Sequence, residues 1–270
     1  MTAVDVGDGL ALNVHAIGSG PTVVFIAGFG LDHRIWDGQV EHLAESHRVI
    51  CVDLLGTGQS SKPLDGYSTA NQAELVIAAL DKVGVERFSL VGHSFGGMVA
   101  FNIAASKPDR VTKLMLVGSN AVRAGRSDTF PFGANGDKMS EALISAERAN
   151  RVVSRRATLA AGFAVEPEEA VLDFLTGVFL DMPSWSAVAC FRAMYATDQI
   201  EMIDHTTMQV AQIVGERDRV HSPAGAEWLQ ARLHASTLEV VPSVGHYPMF
   251  ENPAALNDFL VRVLAGSDEH

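Results

Sequence analysis

Residues 88–105 read FSLVGHSFGGMVAFNIAA. Phe88 to Val91 is a short apolar run that suits a buried strand, and Phe95 to Ala105 is a small-residue stretch that suits a helix stopped by Pro108. Between them lies Gly92-His93-Ser94-Phe95-Gly96, a G-x-S-x-G match in a strand–turn–helix setting. A turn this sharp forces the serine into a strained backbone conformation and lifts its hydroxyl off the sheet edge. The chain then passes so close to its neighbours that the positions two before and two after the serine tolerate little beyond glycine.

Working outward, strand-like and helix-like segments alternate. Residues 3–6 and 9–16 read as a hairpin turned at Gly7-Asp8-Gly9. Thr22 to Ala27 (TVVFIA) and Arg48 to Leu54 are continuous apolar runs that suit strands covered on both faces. Ile35 to Ala44 and Ala70 to Val83 read as helices, and Val111 to Val117 as a further strand. From about 119 to 205 the sequence is helical without a convincing strand, and Pro167 and Pro183 fall where first helical positions are expected. Alternation then resumes with Gln209 to Val214, a helix over 223–233, a strand over 237–241 and a helix over 253–264. This order predicts an α/β fold, mostly parallel, with helices on both faces. Residues 1–118 and 206–270 form its core, and 119–205 form a helical cap insertion.

With the serine turn in place, the chain resembles the α/β-hydrolase family over nearly its whole length, close to its serine esterase and cofactor-free haloperoxidase branches. The resemblance implies an eight-stranded sheet and a triad ordered as nucleophile, acid, histidine. Gly215-Glu216-Arg217-Asp218 follows a late strand, and Gly245-His246-Tyr247-Pro248 followed by Glu251-Asn252-Pro253 looks like the family's histidine loop. The implied triad is Ser94, Asp218 and His246, with Glu216 as the competing acid on the same loop. No acid follows the strand ending at Val117, where the residues are Gly118-Ser119-Asn120, so the family's other acid position is empty. His246 would take the serine proton, and Asp218 would fix the imidazole tautomer. The resemblance places the oxyanion-binding N–H groups at Phe95 and, in Ala27-Gly28-Phe29-Gly30, at Phe29. Ala27 stands where the family usually carries histidine, a departure that leaves a backbone donor untouched. Gly28, His33, Met98, Trp185 and Tyr195 are candidates for the substrate pocket. The apolar insertion should form a lid, while Arg148, Arg151, Arg155 and Arg156 are spread around a helix as a solvated face.

The formal net charge of −12 argues against nucleic acid and anionic membranes as partners. No run of about 18 apolar residues suggests a membrane span, and MTAVDVGDGLALNV lacks a basic region followed by a long apolar run. A cytoplasmic location and a small-molecule substrate are the expectations; the oligomeric state stays open. Cys51 and Cys190 read as buried thiols. No cofactor or metal is expected. Gly56-Thr-Gly58-Gln-Ser60-Ser61 lacks a phosphate-binding lysine, and neither H-E-x-x-H nor C-x-x-C occurs. His93 reads as a packing residue, and His15, His42, His47, His205, His221, His234 and His270 as surface or packed histidines. Three functions fit: hydrolysis of small apolar esters or lactones through an acyl-enzyme, perhydrolysis or C–C cleavage by the same triad, and ligand sensing on a hydrolase fold. The resemblance also implies that a serine rather than aspartate nucleophile excludes dehalogenase and epoxide hydrolase chemistry.

Overall fold

The computed structural model describes residues 2–266; His270 lies outside the described residues. β1 (Thr2–Gly7) and β2 (Leu10–Ile17) form the expected hairpin, with Gly7, Asp8 and Gly9 all at positive φ in its turn. β3 (Thr22–Ile26), β4 (Arg48–Val52), β5 (Phe88–His93), β6 (Val111–Val117), β7 (Gln209–Gly215) and β8 (Ser236–Val241) complete one sheet in the order β1-β2-β4-β3-β5-β6-β7-β8. β1–β2 and β2–β4 pair antiparallel; every later pair is parallel. The central strands read as unbroken apolar runs because helices cover both faces, and every residue of β5 is buried.

The helices are α1 (Asp37–Leu43), α2 (Thr69–Lys82), α3 (Phe95–Ser106), α4 (Gly136–Gly162), α5 (Glu169–Leu180), α6 (Ser184–Ala196), α7 (Pro223–Gln230), α8 (Pro248–Glu251) and α9 (Pro253–Ala265). Four expectations are refined. The helix expected over 35–44 begins as a tight turn, His33–Trp36, whose Asp32 side chain accepts from the Arg34 N–H before α1 starts. Residues 119–135 form no helix, so the helical segment is shorter than the stretch free of strands. Pro183 caps α6 rather than opening it, and Pro167 lies ahead of α5. The helix expected over 223–233 ends at Gln230.

α4 is two helical pieces broken at Asn150 (φ −161°, ψ 95°), whose side chain accepts from the Val153 N–H as a cap for the second piece. Buried Arg155 on that piece pairs with Glu147 on the first at 2.6 Å. It also donates to the carbonyls of Phe179 and Met182, and Arg151 donates to Leu180 and Met182. The expectation that these arginines form a solvated face therefore fails for Arg155 and Arg151. Arg151 and Arg155 thus meet the carbonyls of Leu180 and Met182 around the end of α5, and Arg155 shares that of Phe179 with the Met182 N–H. Among the described residues no single helix is long and apolar enough to cross a membrane; α5 and α6 reach that composition only as a pair bent by 93°. Cys51 and Cys190 are both buried free thiols.

Candidate active site

The turn after β5 carries Ser94 at the sheet edge. Ser94 sits at φ 52°, ψ −120°, a conformation costing on the order of 1–3 kcal/mol that persists only where its surroundings enforce it. Those surroundings are visible. The Ser94 N–H donates to the Val117 carbonyl at 3.0 Å, and the Ser119 hydroxyl donates to the Ser94 carbonyl at 2.8 Å. A Cβ on Gly92 would come 2.6 Å from the Gly96 carbonyl oxygen, and one on Gly96 would come 2.3 Å from that of Ala27. Neither position admits a side chain, which is the steric content of the motif.

β7 and β8 deliver the partners. His246 Nε2 lies 2.9 Å from Ser94 Oγ, and His246 Nδ1 lies 2.8 Å from Asp218 Oδ2. The other Asp218 oxygen accepts the N–H groups of Val220 and His221 at 2.8 and 2.9 Å. Burial pushes the Asp218 carboxyl up, but the adjoining His246, aided by His221, outweighs it and holds the group below the usual carboxylate range. Glu216, the rival acid, is exposed and accepts from the Ser243 N–H instead.

The histidine loop is held from three sides. His93 Nε2 donates to the His246 carbonyl at 2.9 Å. Burial first, and the nearby His246 second, keep His93 well below the ordinary histidine range, so it acts as a neutral strut. The His246 N–H donates to the carbonyl of Gly162, the last residue of α4, at 2.8 Å. Glu251 accepts from the N–H groups of Gly245, Ala164 and Tyr247 at 2.9, 2.8 and 3.0 Å, joining the loop to the end of α4. The sequence shows Glu251 only as part of a Glu-Asn-Pro run, with nothing to mark those three donors.

Phe95 follows Ser94 directly, and Phe29 lines the same cavity as the serine. Phe95 opens α3, so its N–H has no acceptor within the helix. Neither it nor the Phe29 N–H finds an acceptor among the described residues. The Gly28–Leu31 turn that presents Phe29 is closed by the Leu31 N–H on the Gly28 carbonyl at 3.1 Å.

Ser94 and His246 open into a cavity of about 110 Å³. Its walls are Phe29, Leu143, Leu159, Phe179, Phe191 and Met194, with Tyr195 and His221 among its polar members. Tyr195 also borders a larger open cleft of about 680 Å³ that carries Arg148 and Arg192 but none of Ser94, Asp218 and His246.

Of the five pocket candidates, Tyr195 lines the cavity. Gly28 packs behind the serine, where a Cβ would come 2.7 Å from His93 Nδ1 and 3.0 Å from Ser94 Cβ. The other three do not reach the cavity. Met98 is fully buried, because α3 is apolar on every face and packs into the core. Trp185 is 51% exposed and donates to the Lys62 carbonyl at the surface. His33 turns away to Asp53 at 3.0 Å.

That contact belongs to the turn from Asp53 to Ser60, where the Ser60 hydroxyl donates to the Asp53 carbonyl at 2.7 Å. Asp53 also accepts from Asn13 Nδ2, the His33 N–H and the Gln59 N–H. Asp32, His33 and Asp53 place possible metal-ligand atoms within 4.8 Å of one another. However, Arg34 occupies the Asp32 carboxylate, and Asp53 is satisfied by protein donors, so the oxygens are spent inside the fold. His221, expected as a surface or packed residue, is packed, and it lies in the cavity wall with its ring 5.6 Å from that of His246.

Comparison with known proteins agrees with this fold. Residues 21–253 match the model of the alpha/beta hydrolase fold family. An uncharacterized protein of Mycobacterium tuberculosis is 31% identical over 92% of this chain and 76% of its own. A pimeloyl-[acyl-carrier protein] methyl ester esterase of Nitrosomonas europaea is 26% identical over 90% of this chain and 95% of its own. A solved esterase from Exiguobacterium antarcticum superposes with a TM-score of 0.94 at 25% identity, covering 98% of this chain and 99% of the esterase.

Proposed function

Because the chain belongs to the α/β-hydrolase fold family and is a hydrolase, we propose that it cleaves small, mostly apolar carboxylic esters or lactones through an acyl-enzyme on Ser94. The observation that carries this reading is the Asp218–His246–Ser94 relay, at 2.8 and 2.9 Å, on the floor of an apolar cavity. Ser94 Oγ attacks the ester carbonyl carbon while its proton passes to His246 Nε2. Asp218 keeps the proton on His246 Nδ1 and stabilises the imidazolium. The negative charge that develops on the carbonyl oxygen meets the N–H groups of Phe29 and Phe95. Collapse expels the alcohol, which leaves with the proton from His246. A water then attacks the acyl-serine by the same route, giving the acid and free Ser94. In a lactone the alcohol stays tethered to the acid.

Helices α4–α6 within 119–205 serve as a lid over the core formed by 1–118 and 206–270. Supporting this, they supply Leu143, Leu159, Phe179, Phe191 and Met194 to the cavity walls. None of the lining residues is Lys, Arg, Asp or Glu. A charged substrate would therefore be desolvated without compensation. The names of the similar esterases also favour ester cleavage. The test is hydrolysis of 4-nitrophenyl esters of increasing acyl length by the wild type and Ser94→Ala. Turnover that grades with chain length and vanishes in the variant supports the reading; a variant retaining more than about a tenth of the rate removes Ser94 from the role.

A further inference from the structure

The relay uses one of the three histidines in the cavity wall. His93 is spent on the His246 carbonyl. His221 is not spent: only its backbone N–H is engaged, by Asp218, and neither ring nitrogen hydrogen-bonds any described residue. The residue is 3% exposed and its Nδ1 is sealed off without a partner. That leaves Nε2 as the ring nitrogen able to meet a molecule in the cavity. A buried imidazole without a partner costs stability, and a ligand that hydrogen-bonds Nε2 would offset part of that cost.

We infer that His221 is a specificity-determining residue whose imidazole hydrogen-bonds a hydroxyl on the substrate, so that the cavity takes uncharged, hydroxyl-bearing esters or lactones. This rests on the ester-hydrolase reading above and narrows its substrate class. Burial, and then the proximity of His246, lower His221 to about 4, so at neutral pH the ring is uncharged. A neutral imidazole carries one N–H and one lone pair, and the tautomer decides which of them Nε2 presents. A hydroxyl both donates and accepts, so it satisfies either tautomer; an ether or a carbonyl satisfies only one. The phenols of Tyr195 and Tyr247, also in the wall, make no hydrogen bond to a described residue and offer the same dual chemistry. With no Lys, Arg, Asp or Glu in the lining, a carboxylate or ammonium on the substrate finds no fixed counter-charge.

The test compares methyl butyrate with methyl hydroxybutyrates carrying the hydroxyl at each chain position in turn, using wild type, His221→Leu and His221→Gln. The wild type is expected to favour at least one hydroxy ester over the plain ester by about tenfold or more in kcat/KM. His221→Leu is expected to bring that ratio close to one, and His221→Gln to restore part of it. A wild-type ratio near one for every isomer overturns the inference, and needs no variant to fold. So does a His221→Leu enzyme that loses both esters equally with a displaced pH profile, since His221 would then act through His246. If the wild type turns over no ester at all, the ester-hydrolase reading fails and this inference falls with it. If it turns over methyl butyrate without preference, only the inference fails.

Discussion

Glu251→Gln isolates what holds the histidine loop. In the native protein Oε2 takes the N–H groups of Ala164 and Gly245 at 2.8 and 2.9 Å, and Oε1 takes that of Tyr247 at 3.0 Å. Glutamine keeps the shape but replaces one oxygen with an NH₂ group, which cannot accept. The least harmful flip keeps oxygen on the two-donor side and turns NH₂ toward the Tyr247 N–H. One bond is then lost and its donor faces another donor, at about 1–3 kcal/mol. The two surviving bonds lose their charge assistance, at about 1 kcal/mol each. Glu251 is half-buried, and solvent screening brings the sum to about 2–3 kcal/mol. For a chain of this size that lowers Tm by about 5–10 °C. Because Gly245 and Tyr247 bracket His246, kcat should fall by about ten- to a hundredfold, the scale of a sub-ångström to 1 Å misplacement, with little change in KM. Thermal melting followed by 4-nitrophenyl ester kinetics reads both effects. A variant that melts within about 1 °C of wild type with unchanged kcat would refute the assignment of Glu251 as a positioning residue, since even a single charged bond is worth about 1.5–3 kcal/mol.

Three further outcomes are expected. Asp218→Asn should cost about 10⁴ in kcat through the wrong histidine tautomer, while Glu216→Gln should stay close to wild type; the reverse order in steady-state kinetics would move the acid to Glu216. Arg155→Met leaves Glu147 charged and buried, so chemical denaturation should show a loss of about 3–5 kcal/mol, and a loss under about 1 would mean that water reaches the pair. The hydrogen bond to Asp53 raises His33 above its ordinary 6.5 despite partial burial, so the stability it contributes is full below 6.5 and fades as pH climbs through the folded value. The Tm gap between wild type and His33→Gln should therefore shrink from pH 5.5 to 8.5, and a gap that widens would reverse the sign of the shift.

The serine turn was legible because its physics is local. Gly92 and Gly96 are dictated by contacts within a few residues and with one neighbouring strand, so the motif and its flanks carry the whole constraint. Asp218 and His246 followed from a resemblance in loop spacing, and geometry then separated Asp218 from Glu216 by two residues on one loop. The pocket was read less well. On α6, Phe191, Met194 and Tyr195 share one face at helical spacing, and Trp185 lies on another. Either face is apolar enough to be buried, and the periodicity cannot say which one meets the core. Arg155 misled for a related reason. A charged residue in a helix reads as solvent-facing unless its partners are known, and its partners lie on α5 and across the break at Asn150.

The sequence by itself determined the order of strands and helices and the strained serine turn. These depend on period, turn chemistry and steric exclusion between near neighbours. Only the tertiary structure decided that His93 braces His246, that Glu251 joins the histidine loop to α4, and that His221 faces the cavity. Each of those depends on which loops converge at one sheet edge and on the angle at which α4–α6 cross above it. Such crossings are set by packing over the whole chain, which no short run of residues encodes.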